Sequence, residues 1–311
     1  MKIYHHLSEF NKLNNAVVTI GTFDGVHFGH QKIVKRLCEL AKNTGGESVI
    51  LTFFPHPRLI LDPEDQNLKM INTISEKAEI LANLGVDHLI ITPFTRDFSN
   101  LSAKEYIQNV LVETLGTKYI IVGYDHRFGK DRKGGMPELE KYAQIFDYQI
   151  EVIKEQDIND VAVSSTKIRQ ALLNGNVALA AKYLGYHFSV EGRVVKGDKI
   201  GRTIGYPTAN IFIEETYKLI PSDGIYAVTV QMGEDLYKGM AYIGQRPTIN
   251  GMTRNIEVNI FDFNKEIYGQ TIKMSFLEFL RPDVKFTGLE TLKEQLKKDK
   301  ENTLEYFKKL G

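Results

Sequence analysis

Ala16-Val-Val-Thr-Ile-Gly-Thr-Phe-Asp-Gly-Val-His-Phe-Gly-His30 is the stretch that decides the fold of the first half of this chain. Its apolar opening, Val17 to Ile20, reads as a strand, and from His30 to Asn43 the apolar positions recur with helical spacing. Between them stand Gly21 and Gly25, which permit a sharp turn and a close approach of backbone to a ligand. A strand turning straight into a helix belongs to an α/β sheet, whose ligands bind at the carboxyl ends of strands beside helix N-termini. The free N–H groups and partial positive charge there suit phosphate. His27 and His30, at i and i+3, share a face of the first turn and can donate hydrogen bonds to phosphoryl oxygens. A metal centre fits poorly, because zinc helices pair histidines at i and i+4 with further ligands. A plain turn with two surface histidines is the remaining alternative.

The same alternation continues outward. Further strands are predicted at Ser48 to Phe53, His88 to Thr92, Tyr119 to Val122 and Gln149 to Ile153, each nearly continuous in apolar character. Helices are predicted at Ile74 to Leu84, Ala103 to Leu115 and Pro137 to Phe146. Gly45, Gly85 and Gly116 stand where helix C-terminal glycines belong. This order predicts a doubly wound, Rossmann-like parallel sheet. Two more helical pieces follow, Thr166 to Asn174 and Val177 to Leu184. From Ser189 the pattern changes to β-branched runs broken by Gly, Pro, Asn and Asp: Ser189 to Val195, Ile225 to Val230, Tyr237 to Ile243, Ile256 to Phe261 and Ile272 to Phe279. That predicts an antiparallel barrel or sandwich. Leu289 to Leu310 reads as an amphipathic C-terminal helix with Leu289, Leu292, Leu296, Leu304 and Phe307 on its apolar side. The domains are expected to be residues 1–184 and 185–311, with the boundary near Gly185-Tyr186.

Bulk composition narrows the class. The 311 residues suit about two domains, and 42% hydrophobic with 25% charged residues is ordinary for a soluble globular protein. A formal net charge of +0 gives no global field toward nucleic acid or anionic lipid, so neither is expected as a partner. No apolar run approaches the ~18 residues of a membrane span. The single cysteine, Cys38, fits a reducing, cytoplasmic setting.

Three other stretches should reach the edge that holds the histidines. Thr52-Phe-Phe-Pro-His-Pro57 ends the second strand. Gly123-Tyr-Asp-His-Arg-Phe-Gly-Lys130 is a Gly- and cation-rich loop that can cover phosphate. Ser164-Ser-Thr-Lys-Ile-Arg169 opens a helix with capping hydroxyls, and its first-turn cations call for an anion. In the second half, Gly192-Arg-Val-Val-Lys-Gly197 has Walker-like glycine spacing, but Asp198 replaces the lysine that a P-loop requires. Gly197, Gly201 and Gly205 instead space a loop whose N–H groups can line phosphates. Thr208 and Asn210, at i and i+2, put neutral oxygens on one strand face, suited to Mg²⁺ shared with phosphates. Pro207 would fix the turn before them. Glu257, in Asn255-Ile-Glu-Val-Asn259, shares a face with Asn255 and Asn259.

Taken together these residues resemble the prokaryotic bifunctional riboflavin kinase/FMN adenylyltransferase family. The resemblance rests on Gly21 to His30, Thr-Phe-x-Pro-His-Pro and Ser-Ser-Thr-x-Ile-Arg in the first half. In the second it rests on Gly192 to Asn210, Gly224-Ile-Tyr-Ala-Val228, Ile243-Gly-Gln-Arg-Pro-Thr248, Glu257 with Asn259-Ile-Phe-Asp262, Tyr268-Gly269, and Phe279-Leu-Arg-Pro-Asp283. His126 departs from the family, which usually has Phe after the Asp of the Gly-x-Asp stretch.

The resemblance implies a Rossmann-like nucleotidyltransferase domain followed by a riboflavin kinase barrel. The barrel would phosphorylate riboflavin with ATP to FMN, and the first domain would adenylylate FMN with a second ATP to FAD and pyrophosphate, both with Mg²⁺. It implies that His27 and His30 are catalytic and that Gly21, Phe23, Asp24, Gly29, Ser165, Thr166 and Arg169 bind ATP. In the barrel it implies Glu257 as general base, Gly197, Gly201, Gly205 and Pro207 at the phosphates, and Thr208 and Asn210 at the metal. Asp125 and Arg281 would meet flavin. A monomer is expected. The alternatives are an adenylyltransferase for another phosphorylated substrate with a non-catalytic barrel, or a non-enzymatic binding protein.

Overall fold

The computed structural model describes residues 1–62, 67–124, 126–153, 163–197, 200–248 and 251–310. The chain divides into two compact units, Met1–Ser165 and Thr166–Gly311.

The first unit is built on a six-stranded sheet ordered β1-β4-β3-β2-β5-β6. The strands are β1 (Lys2–Tyr4), β2 (Ala16–Ile20), β3 (Glu47–Phe53), β4 (His88–Thr92), β5 (Thr117–Gly123) and β6 (Gln149–Ile153). Every neighbouring pair is parallel. β1 is an edge strand too short to show a sequence pattern. The main helices are α1 (Phe28–Thr44), α2 (Ile74–Asn83), α3 (Tyr106–Leu115) and α4 (Met136–Phe146). β2 is buried along its whole length, and the strand period of two sends its side chains to opposite layers. Ala16, Val18 and Ile20 pack with Tyr106, Ile107 and Leu139 of α3 and α4. Val17 packs with Val34 and Leu37 of α1 and Ala78 and Leu81 of α2. The three layers explain why the strands are nearly continuous in apolar residues. β2 lies between β3 and β5, where the strand order reverses, so its carboxyl end is the switch point of the sheet.

The predicted helix over Ala103 to Leu115 differs in kind. It starts as an α-turn at Ala103–Glu105 under a Ser102–Glu105 capping box and continues as a π-helix, α3. It stops at Gly116, whose φ of 72° and close approach to the Leu13 carbonyl leave no room for a side chain.

The second unit opens with α5 (Ser165–Leu173) and α6 (Val177–Leu184). A closed barrel follows in the order β10-β11-β8-β7-β12-β9. Its strands are β7 (Ser189–Val195), β8 (Ala209–Phe212), β9 (Gly224–Met232), β10 (Asp235–Thr248), β11 (Gly251–Ile260) and β12 (Thr271–Arg281), paired antiparallel throughout. Phe188, Tyr226 and Phe276 are fully buried in its interior. The compact units part ahead of the boundary expected near Gly185. The reason is packing: α6 lies on β12, the Ser222 N–H donates to the Leu172 carbonyl, and Gly175 abuts Phe279.

The C-terminal helix, α7 (Leu289–Leu310), has the predicted length but a different buried stripe. Asp299, Thr303 and Phe307 are its buried residues, whereas Leu289 and Leu304 are exposed. An ion pair to the barrel, described below, turns the helix onto that stripe.

Candidate active sites

The stretch that opened the sequence analysis forms a turn at the carboxyl end of β2. Gly25 has φ 85°, and two non-glycine residues, Phe23 (φ 46°) and Val26 (φ 35°), also lie in the left-handed region. For a β-branched residue such as Val26 this is uncommon and is held only by the surroundings. Gly21 itself is not left-handed; a Cβ there would press on the Phe23 ring at 3.1 Å. Asp24 is buried, and its Oδ1 accepts the Ile71 N–H at 2.9 Å. Its carbonyl accepts the Ser165 hydroxyl at 2.8 Å. Asp24, expected at the phosphates, thus shapes the turn through backbone N–H groups.

His27 precedes α1 as its N-cap rather than lying in its first turn. Its Nδ1 accepts the His30 N–H at 3.4 Å, which assigns the proton to Nε2 and leaves that atom as a donor. The two imidazoles stack with centroids 3.7 Å apart and planes 15° from parallel. Burial holds His27 down to about 4, against a weaker opposing backbone hydrogen bond. His30 lies well below its ordinary value, from burial first, then His27, then Lys77. Both rings are neutral at pH 7. The His30 Nδ1 is sealed from solvent with no hydrogen-bond partner among the described residues. Two neutral imidazoles at a helix N-terminus, one with an unspent buried nitrogen, are prepared for an anionic ligand. Gly29 is buried in the first turn of α1.

Thr52 donates to the Thr22 carbonyl at 3.2 Å, joining the ends of β2 and β3. His56 caps the short helix Pro57–Leu61. Thr166 is exposed and Arg169 half-buried on α5, both within the second compact unit. Asp125 lies outside the described residues. Sequence reasoning missed an aromatic cluster past the strand ends. Phe98 sits 5.5 Å from Phe53 and 5.9 Å from Tyr106, which is 5.3 Å from Phe128. The Tyr106 hydroxyl is buried with no hydrogen-bond partner among the described residues, at the start of the π-helix. The π-helix carried no signal in an α-period reading.

The second site lies on three neighbouring barrel strands. Asn210 of β8 stands opposite Glu257 of β11, which stands opposite Tyr242 of β10, so all three share a face. The Thr208 hydroxyl donates to Glu257 Oε2 at 2.7 Å, and the Asn255 amide donates to Oε1 at 2.6 Å. The Asn259 amide donates to the Pro207 carbonyl at 2.6 Å, fixing the turn that delivers Thr208. Gly197 packs directly on the Asn210 amide, where a Cβ would collide. Gly205 is left-handed at φ 86°, and a Cβ on Gly201 would strike the Tyr206 carbonyl. A cavity of about 490 Å³ opens beside Pro207 and Thr208, with Arg202, Phe263, Lys265 and Tyr268 in its wall. Tyr242, another residue missed from sequence, donates to Asp283 Oδ2 at 3.1 Å. Its phenol is pushed up by burial, then by Asp283, and stays protonated.

Arg281, expected to meet flavin, is held at the end of β12. Its Nε and Nη2 donate to the two oxygens of Asp299 at 2.8 and 2.7 Å, and Nη1 donates to the Pro282 carbonyl. Asp299 is only 1% exposed. The guanidinium is thus a strut between β12 and α7, with two of its nitrogens on Asp299.

Known proteins resemble this chain in both of its halves. The FAD synthetase family model matches residues 9–167 and the riboflavin kinase family model matches residues 184–307. The bifunctional riboflavin kinase/FMN adenylyltransferase of Listeria monocytogenes is 40% identical, over 95% of this chain and 94% of its own. The protein of the same name from Escherichia coli K12 is 36% identical over 97% and 96%. A solved Streptococcus pneumoniae structure, named a macrolide-efflux protein, superposes with a TM-score of 0.88 at 35% identity, covering 97% of this chain and 98% of that one. No described helix here is long and apolar enough to cross a membrane. The match over nearly its whole length, in both halves, makes this chain a member of the bifunctional riboflavin kinase/FMN adenylyltransferase family.

Proposed function

We propose that the protein makes FAD from riboflavin in two steps, phosphorylation to FMN in the barrel and adenylylation of FMN in the sheet unit. The observation that carries the double reading is the Thr208–Glu257 hydrogen bond beside Asn210. A barrel that only bound ligand would have no use for a carboxylate anchored at both oxygens next to two hard oxygen donors.

In the barrel the ribityl 5′-hydroxyl must lose a proton as it attacks the γ-phosphorus of ATP. Glu257 takes that proton. The Thr208 and Asn255 bonds hold its carboxylate still, so little reorganisation is needed. Thr208 and Asn210 fit Mg²⁺: their oxygens are hard and neutral, they neighbour a carboxylate, and Gly197 keeps Asn210 in place. The ion would neutralise charge on the phosphates of ATP. Gly197, Gly201, Gly205 and Pro207 shape the loop beside the 490 Å³ cavity, which takes the nucleotide.

In the sheet unit the FMN phosphate is already an anionic nucleophile, and no base is required. It attacks the α-phosphorus of ATP and pyrophosphate leaves. Catalysis is then alignment and charge stabilisation by donors fixed in advance. His27 and His30 donate as neutral imidazoles, with the α1 N-terminus and Gly21, Phe23 and Gly29 shaping their pocket. Ser165, Thr166 and Arg169 steady the pyrophosphate. Phe53 and Phe98, half-buried at the edge of the aromatic cluster, offer apolar faces to a flavin ring. Asp125 remains the proposed polar contact to flavin. The functional modules are residues 1–184 and 185–311, and a cytoplasmic monomer completes the reading.

Incubation with riboflavin, ATP and Mg²⁺, with FMN and FAD resolved, tests the whole. Both products are expected. FAD formed only from added FMN would favour a non-catalytic barrel.

A further inference from the structure

Lys77, on α2, is a lysine in the wrong place for a surface helix. It is 3% exposed, and its ammonium donates to the Thr22 carbonyl at 2.6 Å. That bond uses one of three N–H groups, and no other hydrogen-bond acceptor for it occurs among the described residues. Burying an ammonium without a full set of partners is costly and is retained where the charge has a use. The groups that face it define that use. Asp24, itself 1% exposed, supplies the compensating charge. His30 of α1 feels it as a like-signed neighbour, next to His27. Thr22, the tethered residue, opens the turn in which Phe23, Gly25 and Val26 are all left-handed.

We propose that Lys77 is a positioning residue of the adenylyl-transfer site. Its ammonium pins the Thr22–Val26 turn and lends positive charge to the phosphate pocket, keeping His30 a neutral donor. The inference rests on the adenylyl-transfer reading above. The geometry gives both halves of the role: the Thr22 bond restrains a strained turn, and the sealed, low-dielectric setting lets the charge act over several ångströms. Burial brings the ammonium down to about 8, with Asp24 opposing, so the charge is present at neutral pH and is lost in mild alkali.

Two substitutions separate charge from hydrogen bond. Lys77→Gln keeps a donor for the Thr22 carbonyl and removes the charge; Lys77→Arg keeps the charge. With FMN and ATP supplied, Lys77→Gln is expected to lower kcat/KM for ATP about tenfold or more, and Lys77→Arg to stay within about threefold of the parent. Histidine NMR should show the His30 titration moving up by about half a unit or more in Lys77→Gln and unmoved in Lys77→Arg. In the unsubstituted enzyme, kcat/KM for ATP in adenylyl transfer should fall as pH rises through about 8. A flat profile there, or a Lys77→Gln enzyme with parental kcat/KM and an unmoved His30, overturns the proposal. If the parent makes no FAD from FMN, the adenylyl-transfer reading fails instead, and the His30 titration decides the role of Lys77 by itself.

Discussion

The two sites solve opposite chemical problems with opposite materials. The sheet unit places two neutral histidines and a helix N-terminus beside a turn with three left-handed residues, with the Asp24 carboxylate turned into backbone N–H groups. The barrel places a carboxylate at the centre of a cross-strand row and holds it by hydroxyl and amide donors. A phosphate nucleophile needs no proton removed, so positive and neutral groups suffice. An alcohol does need it, so a base must be present. The difference teaches that a base is to be sought only where the nucleophile is protonated, even though both reactions consume ATP.

The sharpest way to break that comparison is at Glu257. Glu257→Gln should cut riboflavin phosphorylation about 10³-fold while added FMN is still converted to FAD, measured by separating the flavins. Undiminished FMN formation would remove the base from the barrel and leave both sites alike. Next is the strut. Arg281→Met leaves the buried Asp299 charge without its cation, held only by the Gln295 amide, and should destabilise the barrel unit by about 3 kcal/mol in denaturant unfolding. An effect confined to flavin affinity would restore Arg281 as a ligand.

In the sheet unit, His30→Ala should lower adenylyl transfer about 10²-fold and spare the kinase reaction, comparable with loss of one transition-state donor. Normal FAD production would exclude His30 from the site. Acid provides a further contrast. His27 has its folded pKa lowered to about 4, so between about 6.5 and 4 the unfolded chain binds the proton and the folded chain resists it. Stability of the sheet unit should therefore fall by about 3 kcal/mol as pH drops through that window, read by denaturant melts at stepped pH. A sheet unit equally stable across the window would mean charged histidines. The smallest effect is expected at Gly197→Ala, whose methyl displaces the Asn210 amide and should lower kinase activity about tenfold with adenylyl transfer unchanged.

Much of this was legible beforehand, and the reasons are local. Val17 to Ile20 and the other inner strands are apolar on both faces because helices cover both, and that signal is independent of partners. Gly45, Gly85 and Gly116 mark helix ends because their φ values are left-handed. Thr208 and Asn210 could be put on one face because strand period alone sets that, whereas Glu257 was singled out as a base by the family resemblance. Less was legible at α7: Leu289 and Leu304 look like core and are exposed, while Asp299 looks like surface and is buried. Its burial depends on Arg281, which no local pattern connects to it. The π-register of α3 and the orphaned Tyr106 hydroxyl were likewise invisible, since apolar spacing does not distinguish an α-turn from a π-turn.

The sequence by itself determined the two fold classes, the order of their elements and the motif residues, because period, capping and turn chemistry act within a few residues. Only the tertiary structure decided what those residues face. It turned Asp24 toward Ile71, committed Arg281 to Asp299, stacked His27 on His30 and brought Lys77 beneath Thr22. Charge, desolvation and hydrogen-bond supply are set by neighbours distant along the chain, and those neighbours exist only once the layers have packed.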